Sequence, residues 1–170
     1  GILVPMLQHK KTVYVAMSGG VDSSTAALLL KKAGHDVYGV YMKEWTPPGI
    51  NCVAGDDRLM AARVAAHLDI PFTVWDFSQE YKQHVADYML REYREGRTPN
   101  PDVMCNKEIK FGFFLNKALE AGADYIATGH YVQKFEIRNS KFETNTKYQI
   151  QNTRYKLLQA KDLNKDQSYF

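Results

Sequence analysis

The chain has 170 residues, 45% of them hydrophobic and 24% charged, and its 22 basic against 19 acidic side chains leave a formal net charge of +3. Such a balance suits one folded domain with a core of its own and excludes intrinsic disorder, collagen-like repeats and a disulfide-stapled scaffold. No apolar run approaches the roughly 18 residues of a membrane span, so no membrane partner is expected, and the slight basic excess permits an anionic partner without demanding one.

Residues 1–11 read as an N-terminal extension, with residues 1–5 as upstream sequence or a cloning scar and Met6 as a start. The stretch is too short for a secretory leader, and no Arg-rich amphipathic segment follows. Two cysteines, Cys52 and Cys105, are too few and too distant for a structural metal site. Their sparseness points to an intracellular chain, cytoplasmic or, alternatively, of the mitochondrial matrix.

A single domain is expected over residues 12–170. Residues 12–17 (TVYVAM) are β-rich and run into Ser18-Gly19-Gly20, a buried strand followed by a turn. Residues 23–33 are small and leucine-rich before Gly34, a helix with a glycine stop. Residues 36–42 predict a second strand, and residues 44–55, with Pro47, Pro48, Gly49 and Gly55, a loop. Helical spacing over 56–68 is followed by a third strand at 72–77 and a long helix at 79–95, ended by Gly96. Residues 97–104 read as a polar loop with two prolines, 105–121 as a helix closed by Gly122, and 124–128 as a fourth strand. Beyond it, residues 131–137 and 147–158 look like strands of a short β-meander.

This alternation predicts an α/β fold, an open and mostly parallel sheet with helices on both faces. Ligands of such sheets bind outside the carboxyl ends of the strands, near the switch in strand order. Four polar clusters, at residues 18–24, 42–45, 97–106 and 128–131, fall at predicted strand or helix ends and are expected to share that rim.

The strongest local signal is Ser18-Gly19-Gly20-Val21-Asp22-Ser23-Ser24, between a strand and a helix. Two residues without Cβ atoms let successive N–H groups point into one concavity, and the following helix adds its free N–H groups and positive dipole end. Asp22 beside phosphates calls for a cation between them, which suggests Mg²⁺. The segment lacks the G-K-[ST] of a Walker A loop and the third glycine of a dinucleotide fingerprint. The plain alternative is a tight turn with Ser or Asp capping the helix.

SGGVDSS resembles the signature of the ATP pyrophosphatase loop enzymes, which cleave ATP between the α- and β-phosphates and adenylate a substrate. Three further segments narrow the resemblance to the tRNA-specific 2-thiouridylases: GRTPNPDVMCNKEIKF at 96–111, ATGHY at 127–131 and NKDQSYF at 164–170. The similarity runs from about Lys11 to the last residue and is weak only over 45–55 and 134–158. It implies an adenine nucleotide alpha-hydrolase-like, Rossmann-like fold. It also implies ATP-dependent 2-thiolation of a tRNA wobble uridine, with ATP and Mg²⁺ as cofactors and persulfide sulfur from a sulfur-relay donor protein.

Read from its position alone, Cys105 follows Asn-Pro-Asp at a predicted helix start, where thiolate is stabilised, with Lys107 and Lys110 nearby. A small core residue is the other reading. The resemblance assigns Cys105 as nucleophile and Asp102 beside it as catalytic. It implies that Ala16, Met17, Ser18, Gly19, Gly20, Val21, Asp22, Ser23, Met42 and Gly129 bind ATP. Asn100, Pro101 and Asp102 would contact the target base, and Lys165, Asp166 and Gln167 the tRNA. The uridine 2-oxygen would attack the α-phosphate and pyrophosphate would leave. Sulfur would then displace AMP, arriving as a persulfide on a second cysteine with which Cys105 can pair. Cys52 lacks that cysteine's motif context and reads as structural or incidental, so the catalytic domain is expected to be truncated at its C-terminal end.

Weaker signals keep two readings each. His130 either touches nucleotide or base or caps a strand end. Arg91, Arg94, Arg97, Lys107 and Lys110 form either a tRNA-phosphate face or, with Glu92, Glu95 and Glu108, a salt-bridged solvated one. Trp45 and Tyr131 are possible stacking partners for a base. The rival functions are an amide-forming synthetase of the same loop superfamily, such as GMP or NAD synthetase, a tRNA lysidine synthetase, or a nucleotide- or tRNA-binding fragment without turnover.

Overall fold

A computed structural model of the chain describes residues 10–49, 54–130, 133–137 and 154–158, so Lys165, Asp166, Gln167, Cys52 and Tyr131 lie outside the described residues. The chain divides into two compact units, Gly1–Gly129 and His130–Phe170.

The first unit is built on four parallel strands, β1 (Thr12–Ala16), β2 (Asp36–Lys43), β3 (Phe72–Asp76) and β4 (Tyr125–Ala127), in the order β3-β2-β1-β4. Period-two alternation splits their side chains between two cores. Val13, Val15 and Val37 face one side, where they pack with Ala27 and Leu30 of α1 (Val21–Lys32) and Ala61, Val64 and Ala65 of α2 (Ala54–His67). Tyr14, Ala16, Val40, Met42 and Trp75 face the other side, against Val85, Ile109 and Phe114. On that side Tyr14 stacks between Tyr38 and Trp75, at centroid distances of 4.9 and 5.6 Å. The expected α/β architecture with helices on both faces is therefore present.

The second face is covered by two long helical stretches. One comprises α3 (Ser78–Tyr81), a π-helical segment (Lys82–Ala86) and α4 (Asp87–Arg94). The other comprises α5 (Pro101–Met104), a π-helical segment (Cys105–Phe114) and α6 (Leu115–Glu120). Here the structure corrects the sequence reading, because residues 101–104 are helix and not loop. Asn100 is the N-cap, its Oδ1 accepting from the Val103 N–H at 3.1 Å, and Pro101 takes the first helical position, where its missing N–H costs nothing. Cys105 consequently lies a turn inside the helix.

The winding reverses at β1. The chain steps from β1 to β2 to β3 on one side, then crosses the second face to place β4 on the other side of β1. The crevice at the carboxyl ends of β1 and β4 is thus the topological switch point. The second unit contains β5 (Gln133–Ile137) and β6 (Arg154–Leu158), an antiparallel pair with Gln133 opposite Leu158. They fall within the two expected meander segments, the rest of which lies outside the described residues.

Candidate nucleotide and cysteine site

The loop after β1 is shaped by two backbone approaches that only glycine allows. Gly19 has φ +83°, and a Cβ there would fall 2.5 Å from the Asp57 carbonyl oxygen at the start of α2. Gly129, just after β4, presses on the start of α1, where a Cβ would lie 2.7 Å from the Ser23 nitrogen. The walls of the switch-point crevice therefore meet without clearance for a side chain. Gly39 serves a neighbouring need: a Cβ in its place would sit 2.7 Å from the Met17 sulfur, so β2 yields the volume that Met17 fills.

Ser23 is 4% exposed and locks the turn. Its Oγ accepts from the Ser18 N–H at 3.2 Å and donates to the Gly20 carbonyl at 3.2 Å. Ser24 Oγ donates to the same carbonyl at 2.8 Å. Gly20 is the N-cap of α1 and supplies no side-chain cap, so the first-turn N–H groups are presented toward the loop without one. Ser18 and Val21 are exposed, whereas Ala16 and Met17 are buried, so Met17 contributes packing from its side chain and only backbone to the loop. A helix N-terminus with N–H and hydroxyl donors is a fit for phosphate. Asp22, in the first turn of α1, is the acidic side chain of this loop, and the described residues contain no group of three or more His, Cys, Asp or Glu placed to hold a metal. A divalent cation here would therefore be held largely by phosphate and water, as Mg²⁺ commonly is.

Cys105 is 8% exposed and packs in the cluster containing Ala16, Val40 and Ile109, with Met42 and Met104 at its margin. Ala16 is two residues before Ser18, so the cysteine and the phosphate-type loop share the carboxyl edge of the sheet. Gly129, Ser23, Ala16, Met42 and Cys105 are thereby gathered at one edge, as the four-cluster rim predicts. Asn100 and Pro101 start the helix that carries Cys105, and Asp102 is exposed in its first turn.

The cysteine chemistry differs from the expectation of a stabilised thiolate. Cys105 donates its S–H to Glu44 Oε1 at 3.8 Å. Burial and the Glu44 charge push its pKa up to about 12, with Lys110 opposing, because the anionic form is desolvated and faces another anion. Glu44 is exposed as a whole residue, yet burial around its carboxylate raises its pKa, opposed by Lys110 and by the thiol hydrogen bond. Burial, and then the charges of Glu44, Cys105 and Asp102, push Tyr81 up to about 12. Glu44 falls in the 42–45 cluster expected on the rim, but its pairing with Cys105 is revealed by the fold, as is the place of Tyr81. Asn106, next to Cys105, is 3% exposed, and its buried Oδ1 accepts no hydrogen bond from any described residue.

Part of the basic face is salt-bridged. Arg97 grips Glu92 through two hydrogen bonds, of 2.5 and 2.8 Å, and pairs also with Glu95, while Lys107 pairs with Glu108 at 3.1 Å. No described helix is long and apolar enough to cross a membrane.

The chain is 50% identical over 164 residues to the tRNA-specific 2-thiouridylase MnmA of Flavobacterium johnsoniae, which covers 94% of this chain and 39% of that protein. It is 51% identical to the protein of the same name from Nitrosomonas eutropha, over 95% of this chain and 42% of that one. The chain thus spans about two fifths of the length of these relatives. Among solved structures, the fold resembles a U34-tRNA thiolase, NcsA, from Methanococcus maripaludis, with TM-score 0.53, 23% identity, and coverage of 74% of this chain and 40% of that one. It also resembles a predicted subunit of tRNA methyltransferase from Methanocaldococcus jannaschii, with TM-score 0.50, 20% identity, and coverage of 71% and 55%. The family described as the tRNA methyl transferase HUP domain matches residues 11–170, and the chain belongs to it.

Proposed function

We propose that this chain is the nucleotide-binding, catalytic part of a cytoplasmic ATP-dependent tRNA-uridine 2-sulfurtransferase. The observation that carries the reading is the meeting of a phosphate-type loop and Cys105 at one sheet edge, through the cluster that joins Ala16 to Cys105. Thiolation needs both a nucleotide and sulfur chemistry at one place, whereas amide formation has no use for a cysteine there. The curated relatives, at about 50% identity, are named for thiolation where the family description names methyl transfer, and the nearer relationship supports thiolation.

Bound ATP with Mg²⁺ would supply the activating chemistry, making the uridine 2-oxygen a leaving group that persulfide sulfur from a donor protein can replace. The chain's own part is chiefly placement. The first-turn N–H groups of α1 and the Ser18 hydroxyl would donate to phosphate oxygens, and Ser23 holds the turn in the shape that presents them. Ala16, Met17, Gly19, Gly20, Val21, Met42 and Gly129 would complete the ATP pocket, and Asp22 would be the carboxylate available to the cation. Asn100, Pro101 and Asp102 meet the target base, Lys165, Asp166 and Gln167 meet the tRNA, and Cys105 is the nucleophile that pairs with the persulfide-bearing cysteine.

In the full-length protein, Asp22→Ala is expected to abolish Mg-dependent ATP binding in calorimetry and with it 2-thiouridine in digested tRNA. Unchanged ATP affinity and thiolation would overturn the assignment.

A further inference from the structure

Cys105 is a buried thiol, and any bond that its sulfur forms must shed one proton. Four ionisable side chains influence that group from the elements packed about it: Glu44 beyond the end of β2, Tyr81 at the end of α3, Asp102 in α5 and Lys110 in the π-helical segment. Lys110 favours the thiolate by its charge, and Tyr81, pushed up to about 12, holds its own proton at neutral pH. Glu44 is the group hydrogen-bonded to the sulfur, at 3.8 Å, although it lies 61 residues away in the chain. As whole residues, Glu44 is exposed and Cys105 is buried.

We propose that Glu44 is the positioning residue for Cys105: its carboxylate holds the resting thiol protonated and aligned, and receives the thiol proton when the sulfur attacks. The catalytic half of this assignment rests on the reading of Cys105 as the nucleophile. The device is a relay of one step, from a buried donor to the acceptor that touches it. It also explains how a cysteine in this site stays unreactive until a partner arrives. At rest the Glu44 charge opposes thiolate, and during attack the same carboxylate is the nearest base.

The test is the pH profile of Cys105 alkylation by iodoacetamide on this chain, followed by peptide mass spectrometry so that Cys52 is scored separately. In that reaction the sulfur lone pair forms the S–C bond, iodide leaves with the C–I pair, and the proton passes to Glu44 and then to water. Glu44→Gln keeps the shape and removes the charge. Its profile is expected to shift downward by about one pH unit or more, with a roughly threefold faster reaction at pH 8, since about tenfold more thiolate is offset by lower nucleophilicity at lower pKa. Glu44→Asp keeps the charge and is expected to restore the parental midpoint.

A parental midpoint in Glu44→Gln would overturn the proposal. So would a Glu44→Asp midpoint displaced as far as that of Glu44→Gln. In the full-length protein, Glu44→Gln is expected to form 2-thiouridine at least tenfold more slowly, despite its more acidic thiol, with Glu44→Asp recovering most of the rate. Cys105→Ser separates the two levels. If it thiolates tRNA like the parent, the nucleophile reading fails and the relay's catalytic half falls with it. If it is inactive while the Glu44→Gln midpoint is unmoved, only the role of Glu44 is lost.

Discussion

Asn106 holds a buried amide oxygen that no described residue satisfies, one position beyond the cysteine. An unpaired buried acceptor forfeits its hydration without return, at a cost of about 1–3 kcal/mol. Asn106→Leu, close in volume and without the polar atom, is therefore expected to raise stability by about 1 kcal/mol, seen as a higher urea midpoint. A lower midpoint would show that the amide is satisfied after all. A group kept at such a cost beside Cys105 fits a site better than a core. At this scale the loop was legible in the sequence, because glycines at tight approaches and serines at a helix start act through their immediate neighbours. Glu44 was not, since nothing local marks a loop glutamate as the partner of a sulfur 61 residues on. The thiolate expected for Cys105 is opposed for a related reason: the cap at Asn100 moves the helix start back, and burial with the Glu44 charge outweighs the Lys110 charge.

Among the elements, Asp76 ties three together. Its Oδ2 accepts from Lys43 Nζ at 2.6 Å, joining β3 to β2, and its Oδ1 accepts from the Ser78 N–H at 2.9 Å, starting α3. These bonds favour the charged form and hold its pKa well below the usual aspartate range. A depressed folded-state pKa stabilises the fold above the unfolded value, near 4, and that contribution is lost as the pH falls toward the folded one. Asp76→Asn is expected to have a lower urea midpoint than the parent at pH 7, with the gap closing below about pH 4. A gap that is constant with pH would show that the charge plays no part. Strands were readable because period-two alternation is imposed by two cores, visible in Val13 and Val15 against Tyr14 and Ala16. The start of α5 was misread because Thr98-Pro99-Asn100-Pro101-Asp102 carries turn residues that are also capping residues, and tertiary packing chose between the two uses.

At the scale of the molecule, both hydrophobic clusters lie wholly between Val13 and Ala127, inside the first unit. A chain shortened to end at Gly129 is expected to unfold in urea as a single cooperative transition, with circular dichroism and tryptophan fluorescence coinciding. Non-coincident curves would show that the sheet needs the second unit. The sheet order has a further consequence for how the molecule comes into being. β1 pairs with β2 across a short helical crossover, but its pairing with β4 closes a far longer stretch, as the bond from the Thr12 N–H to Asp124, 112 residues apart, records. Distant pairings carry the larger loop-closure entropy and form late. Because Gly129 follows directly from β4, the wall it sets against α1 is among the last features to assemble. The turn at Gly19 and Gly20 therefore exists before the crevice that gives it a use, and a folding intermediate that lacks β4 would hold half of the nucleotide site.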